Sequence, residues 1–136
     1  MGHVAELARV ALLHGDIETA TAKADEYRRR SAARHVPNEE WLSHALLGLV
    51  AHARGDYPTA IRELEQSDRE NSRVQLAIAR AKVAAGDRAG AIAACRRAMQ
   101  FNGPDFSLAF AWRPAKELLK ELTKEEAGNR PPARPS

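Results

Sequence analysis

A glycine–aspartate pair recurs three times in this chain, each time between two alanine-rich stretches of helical periodicity. The pairs are Gly15-Asp16, Gly55-Asp56 and Gly86-Asp87, at intervals of 40 and 31 residues. Glycine favours the left-handed conformation just past a helix end, and aspartate favours the position that caps the next helix. Each pair therefore predicts a tight turn between two antiparallel helices, and repetition at such intervals is typical of helical-hairpin arrays.

The composition of the chain favours the same fold class. Alanine accounts for 27 of the 136 residues and aromatic residues for 5%, which suits thin helices in close contact better than a β-sandwich. The single cysteine, Cys95, excludes an internal disulfide and a zinc site built on cysteines. The sequence therefore predicts one all-α domain.

The hydrophobic pattern predicts the positions of seven helices. They cover 3–14, 17–34, 39–54, 57–70, 73–85, 88–101 and 114–127. Asn38 is the expected cap of the third helix, and Pro114 is the expected first residue of the last.

Paired in order, the first six helices predict three hairpins. These hairpins cover about 3–34, 39–70 and 73–101. The helix at 114–127 is expected to cap their open end. Residues 1–127 then form one domain, and the proline-rich segment 128–136 is expected to be a disordered tail.

Small residues within these helices match the tetratricopeptide pattern, W-x2-L-G-x2-Y followed by A-x3-F and proline. The small residues are Ala8, Gly48 and Ala79 in the first helices, and Ala20, Ala60 and Ala91 in the second helices. Gly103-Pro104 closes the third unit. Residues 3–103 therefore resemble a degenerate tetratricopeptide repeat array that lacks the large aromatics and the 34-residue period. The resemblance implies an α-solenoid of three antiparallel hairpins plus a C-terminal capping helix.

The resemblance also implies a concave groove, lined by the first helix of each hairpin, that holds a peptide or a partner helix. The candidate groove residues are Arg9, Leu12, Leu42, Leu49, His52, Arg73, Leu76, Arg80 and Val83. Ala5 and Ala45 stand where the family's carboxylate clamp has a lysine, so that clamp is not expected here. An apolar strip edged by arginines predicts a protein or peptide partner with acidic and apolar side chains.

Charge is distributed unevenly along the chain. Residues 36–71 carry a formal charge of −4, and residues 72–103 carry +5. Either these opposite charges fix the stacking of the second hairpin on the third, or the basic hairpin faces an acidic partner.

The run Arg28-Arg29-Arg30 lies near a helix C-terminus, where it offsets the dipole. With Tyr27 as its one aromatic neighbour, the run does not favour nucleic-acid binding.

The sequence contains no HExxH motif, no histidine pair at i, i+4 and no glycine-rich phosphate loop. We therefore expect a non-catalytic protein–protein interaction module without cofactor or metal. The alternative is a structural subunit or self-associating scaffold in a homo- or hetero-assembly, and nucleic-acid binding through the basic third repeat ranks below both.

No apolar run reaches the roughly 20 residues of a membrane helix. Glu6 and Arg9 interrupt any signal-peptide core, so the cytoplasm is the expected compartment.

Overall fold

The structure, a computed structural model, describes residues 2–100 and 107–128, and these residues form seven α-helices. The helices are α1 (Gly2–Leu13), α2 (Ile17–Arg34), α3 (Pro37–Ala53), α4 (Tyr57–Glu65), α5 (Ser72–Ala85), α6 (Arg88–Met99) and α7 (Ser107–Gly128). The described part contains no strand, so the predicted all-α class is confirmed. None of its helices has both the length and the apolar character needed to cross a membrane. Of the predicted disordered tail 128–136, Gly128 is instead the last residue of α7, and 129–136 lies outside the described residues.

The three Gly–Asp turns share one backbone geometry. Gly15, Gly55 and Gly86 have φ angles of 74°, 81° and 85°. Each aspartate that follows accepts a hydrogen bond from a backbone N–H three residues on, in Thr19, Thr59 and Gly90. Each aspartate N–H also donates to the carbonyl five residues back, in Ala11, Ala51 and Lys82. The predicted motif is therefore confirmed: it ends α1, α3 and α5 and caps α2, α4 and α6.

Every helix packs against its neighbours in the chain, and α1, α3, α5 and α7 also contact one another in series. Small side chains make this close approach possible. The alanines Ala8, Ala20, Ala60, Ala79 and Ala91 are all fully buried. In α3, a Cβ built on Gly48 would lie 2.6 Å from Leu64 Cγ of α4, so these two helices meet where a side chain is missing.

Helix α4 ends at Glu65, five residues before its predicted end at Glu70. The hydroxyl of Ser67 donates to the backbone carbonyl of Trp41 at 2.7 Å. The side chain of Asn71 caps α5 by accepting hydrogen bonds from the first N–H groups of that helix. Short polar side chains compete in this way with helical hydrogen bonding, so residues 66–71 form a connecting loop.

Helix α3 begins at Pro37, two residues before the predicted start. Proline suits the first helical position because its φ is already helical and an N–H there would have no partner in the helix. The N-cap is Val36 and makes no side-chain hydrogen bond. The prediction that Asn38 caps this helix is therefore wrong, and Asn38 lies in the first turn.

Helix α7 begins at Ser107, seven residues before the predicted start, so Pro114 lies inside the helix. Ala111 and Ala115, on either side of this proline, are both fully buried in a cluster with residues of α5 and α6. An interior proline removes one helical hydrogen bond. We attribute the continuation of the helix through Pro114 to the burial of these two alanines.

Candidate functional site

A concave cavity of about 980 Å³ opens between α1, α3 and α5. One edge is formed by the end of α4 and the loop that follows it, and Pro114 of α7 contributes to another. Because α3 contacts both α1 and α5, the faces of three helices form one continuous surface. Helices α1, α3 and α5 therefore position nearly all of the side chains considered below.

Eight of the nine residues predicted to line a groove do line this cavity. They are Arg9, Leu12, Leu42, Leu49, His52, Arg73, Leu76 and Arg80. The ninth, Val83, is 40% exposed but is not among the lining residues. It lies almost one turn past Arg80, the last residue that α5 contributes, so the cavity ends before the α5 face does.

Two strongly exposed apolar residues of the cavity were not predicted to line it. Leu13, the last residue of α1, is 85% exposed, and Trp41 of α3 is 41% exposed. Asn38, in the turn before Trp41, also lines the cavity. Extending the predicted row of α3, which began at Leu42, by one turn toward its N-terminus would have found Asn38. Trp41 directly precedes Leu42 and lies beside that row.

The loop after α4 brings polar groups to the edge of the cavity. Ser67 and Asp68, which the sequence placed on a helix, line this edge together with Asn71. They reach it because α4 ends early and the chain turns toward α3, where the hydroxyl of Ser67 is bonded to the Trp41 carbonyl. The sequence signal for this turn is the presence of three short polar residues, Ser67, Asp68 and Asn71, within five positions, since such residues favour loops and helix caps.

Positive charge predominates at the cavity, where three arginines face the single carboxylate of Asp68 among the lining residues. Arg9 forms a salt bridge to Glu6 of its own helix at 3.1 Å, and both side chains are largely exposed. Arg80 is exposed and forms no salt bridge within the part of the chain that the structure describes. A carboxylate of a ligand would therefore meet Arg80 without displacing an internal partner.

Two histidines are held by contacts within the second hairpin. His52, at the cavity, packs edge-on against the ring of Tyr57 with centroids 5.4 Å apart. The Nδ1 atom of His44 lies 2.7 Å from Glu63 Oε2, which joins α3 to α4. Among the described residues, no group of three or more histidine, cysteine, aspartate or glutamate side chains lies close enough to hold a metal ion.

Cys95 is fully buried in the core between α5 and α6, where it packs as a small apolar residue. Burial raises the pKa of its thiol, and this effect exceeds the opposing influence of the Arg80 charge. The thiol therefore stays protonated at neutral pH, and a protonated thiol is a poor nucleophile.

Comparisons with protein-family models, with curated proteins and with solved structures found no match to this chain. Its function must therefore be argued from the chemistry of the cavity. The cavity presents mainly apolar and cationic side chains. The backbone polar groups of its helices are already hydrogen-bonded within each helix. Such a surface suits the burial of another molecule's apolar groups with neutralisation of its negative charge.

Proposed function

We propose that the chain is a tetratricopeptide-like α-solenoid and a non-catalytic protein–protein interaction module. In this proposal, a segment of a partner protein lies in the cavity between α1, α3 and α5. The three identical turns support a repeat architecture. The connections from α1 to α6 are two to six residues long, which favours antiparallel neighbours. The odd-numbered helices would then run in one direction along one side, as in a solenoid.

The observation that carries this proposal is the exposed apolar surface inside a concave, cationic cavity. Leu13 and Trp41 keep large exposed fractions there, and large apolar side chains left exposed in a concave site are typical of surfaces that bind a partner. Arg73 and Arg80 line the same cavity on α5. The chemistry that complements this surface is a protein segment with apolar and acidic side chains.

Site-specific photo-crosslinking in a lysate of the source cell tests this proposal. A photoreactive amino acid at position 13 reports on the cavity, and the same amino acid at position 33, an exposed alanine of α2 outside the cavity, is the matched control. We expect a discrete partner protein to be crosslinked from position 13 and not from position 33.

Charge reversal identifies which surface is responsible. We expect Arg80→Glu to abolish the crosslink from position 13, and Arg96→Glu, an equal charge change at an exposed position of α6, to leave it intact. Equal labelling from both positions, or a crosslink that Arg80→Glu does not change, would place the partner-binding surface elsewhere.

A further inference from the structure

The walls of the cavity offer little to the backbone of an extended ligand. They are mainly helices, whose backbone N–H and C=O groups are bonded within the helix, so they present no strand edge. Among the lining polar groups, the Ser67 hydroxyl already donates to Trp41, and the Asn71 side-chain oxygen already accepts from two N–H groups of α5. An extended segment would bury one donor and one acceptor per residue without enough partners. A helical segment satisfies its own backbone.

The size of the cavity suits a helix of ordinary diameter. A helix about 10 Å across that rises 1.5 Å per residue occupies roughly 120 Å³ per residue. The volume of about 980 Å³ then corresponds to about eight residues, or two turns, if the helix is fully seated. If half of the helix cross-section lies in solvent, the same volume corresponds to about four turns.

Two of the three arginines that line this space lie on α5, and the third, Arg9, lies on α1. Arg73 and Arg80 are seven residues apart on α5, which separates them by two turns and about 10.5 Å along the axis. The walls from α1 and α3 contribute mainly apolar side chains, with Leu13 and Trp41 the most exposed of them. A helix lying alongside α5 would meet apolar groups on one flank and two cations on the other.

We infer that the partner segment is an amphipathic α-helix with two acidic residues seven positions apart on the flank that faces α5. This inference rests on the proposed function and adds the conformation and charge spacing of the ligand. An extended segment that reached both arginines would instead place its acidic residues about three positions apart, because a strand rises about 3.3 Å per residue. The two spacings separate the two conformations.

Selection from two displayed peptide libraries against the purified full chain tests this inference. One library has a helix-favouring 18-residue frame with randomised apolar and charged positions, and the other has random 12-residue peptides without helical bias. We expect strong enrichment from the helical library, with acidic residues at i and i+7 and apolar residues on the adjoining face.

Binding of the enriched peptides is then measured against matched variants. We expect Arg80→Glu and Leu13→Ser each to weaken binding at least tenfold. The controls Arg96→Glu on α6 and Val10→Ser, an exposed residue of α1 outside the cavity, should change binding less than twofold. Replacing one of the two acidic residues of the peptide with lysine should restore binding to the Arg80→Glu variant.

The outcomes distinguish this inference from the proposed function. One outcome is enrichment of extended peptides, with acidic residues three positions apart or with none, whose binding Leu13→Ser weakens. This outcome overturns the helical ligand and leaves the cavity as a binding site. Enriched peptides that neither Leu13→Ser nor Arg80→Glu affects, or no enrichment from either library, overturn both.

Discussion

Each aspartate of the three turns holds the start of a helix through its carboxylate, and the shortest of these hydrogen bonds, from Gly90 N–H to Asp87, measures 2.9 Å. We predict that Asp87→Ala lowers the free energy of unfolding by about 1 kcal/mol, because one N–H at the start of α6 loses its partner. Urea denaturation followed by circular dichroism measures this change. Asp87→Asn keeps an accepting oxygen and should recover most of the loss; equal losses in both variants would contradict the capping role.

The cap of α2 makes stability depend on pH. Hydrogen bonds from the side chain and the backbone N–H of Thr19 hold the pKa of Asp16 below its ordinary value. A carboxylate whose pKa is lowered by folding stabilises the folded state above the unfolded pKa, and this contribution is lost as pH falls through the folded pKa. We predict that Asp16→Asn is destabilising at pH 7 and that its difference from the natural chain shrinks below about pH 4. Urea midpoints at pH 7, 5 and 3 test this; a constant difference would be contrary to it.

The residues that were predictable from sequence are those whose roles are local. Gly15 and Asp16 are adjacent and set a turn through their own backbone and one short side chain, so the sequence contains the whole cause. Asn38 has the chemistry of a helix cap, yet the cap lies two residues earlier because Pro37 starts α3. Its place at the cavity depends on α5 and the loop after α4, which no local pattern specifies.

At the scale of helices, the contact between α3 and α4 depends on the missing side chain of Gly48. A Cβ there would lie 2.6 Å from Leu64 Cγ and 3.1 Å from the Ala60 carbonyl oxygen. We predict that Gly48→Ala destabilises the protein by about 1–3 kcal/mol, although alanine is the better helix former by about 1 kcal/mol. Thermal and urea unfolding measure the net effect of the steric cost and the gain in helix propensity.

The Gly48→Ala/Leu64→Ala double variant is the control for this contact. Truncating Leu64 removes the atoms that the new methyl group would meet, so the two losses should be less than additive. A Gly48→Ala chain that is more stable than the natural one would mean that α3 and α4 separate without cost.

Helix α7 covers one side of α5 and α6 with leucines. Leu122 is buried in the larger core cluster, and Leu118 and Leu119 pack against it. We predict that Leu122→Ala costs about 2–5 kcal/mol of stability, the range for truncation of a buried leucine. Lys120→Ala, at an exposed position of the same helix, should change stability by no more than about 0.5 kcal/mol. Similar effects from both variants would show that α7 does not seal the core.

The ends of the helices were less predictable than their existence. No glycine or proline interrupts residues 60–70, so the pattern favours a longer α4, while the Ser67 hydroxyl finds a carbonyl on α3 that the sequence pattern cannot reveal. Pro114 is a typical first residue of a helix, but Ala111 before it is buried and extends α7 toward its N-terminus. In both cases a tertiary contact decides where the helix ends.

At the scale of the whole molecule, helical periodicity accounts for most of the predicted cavity face. Residues seven apart on one helix, such as Leu42 and Leu49, share a face whatever surrounds them. The extent of the cavity along the helix axes is a different quantity, because it depends on how far the neighbouring helices reach. That is why Val83 belongs to the predicted row and lies beyond the cavity.

The uneven charge of the chain leads to the last prediction. Among the salt bridges of the described residues, Lys82 to Glu65 joins α4 to α5 at 3.7 Å, with Glu65 about half exposed and Lys82 mostly buried. A long pair that is partly open to solvent contributes roughly 0–1 kcal/mol. Arg80, by contrast, faces the cavity. We predict that raising NaCl from 50 to 500 mM changes the free energy of unfolding by less than about 1 kcal/mol, since stacking depends on apolar contact.

Binding should respond to salt and to charge reversal where folding does not. Over the same salt range, the affinity for an acidic peptide selected on the cavity should fall, because the Debye length shortens from above 10 Å at the lower salt concentration to well below it. Arg80→Glu should weaken that binding while shifting stability by no more than about 0.5 kcal/mol. Parallel urea titrations and fluorescence anisotropy measure both quantities. If salt and Arg80→Glu instead destabilise the fold and leave peptide binding unchanged, the positive charge of α5 serves to hold the second and third hairpins together, and the binding surface must be sought at the ends of the helical array.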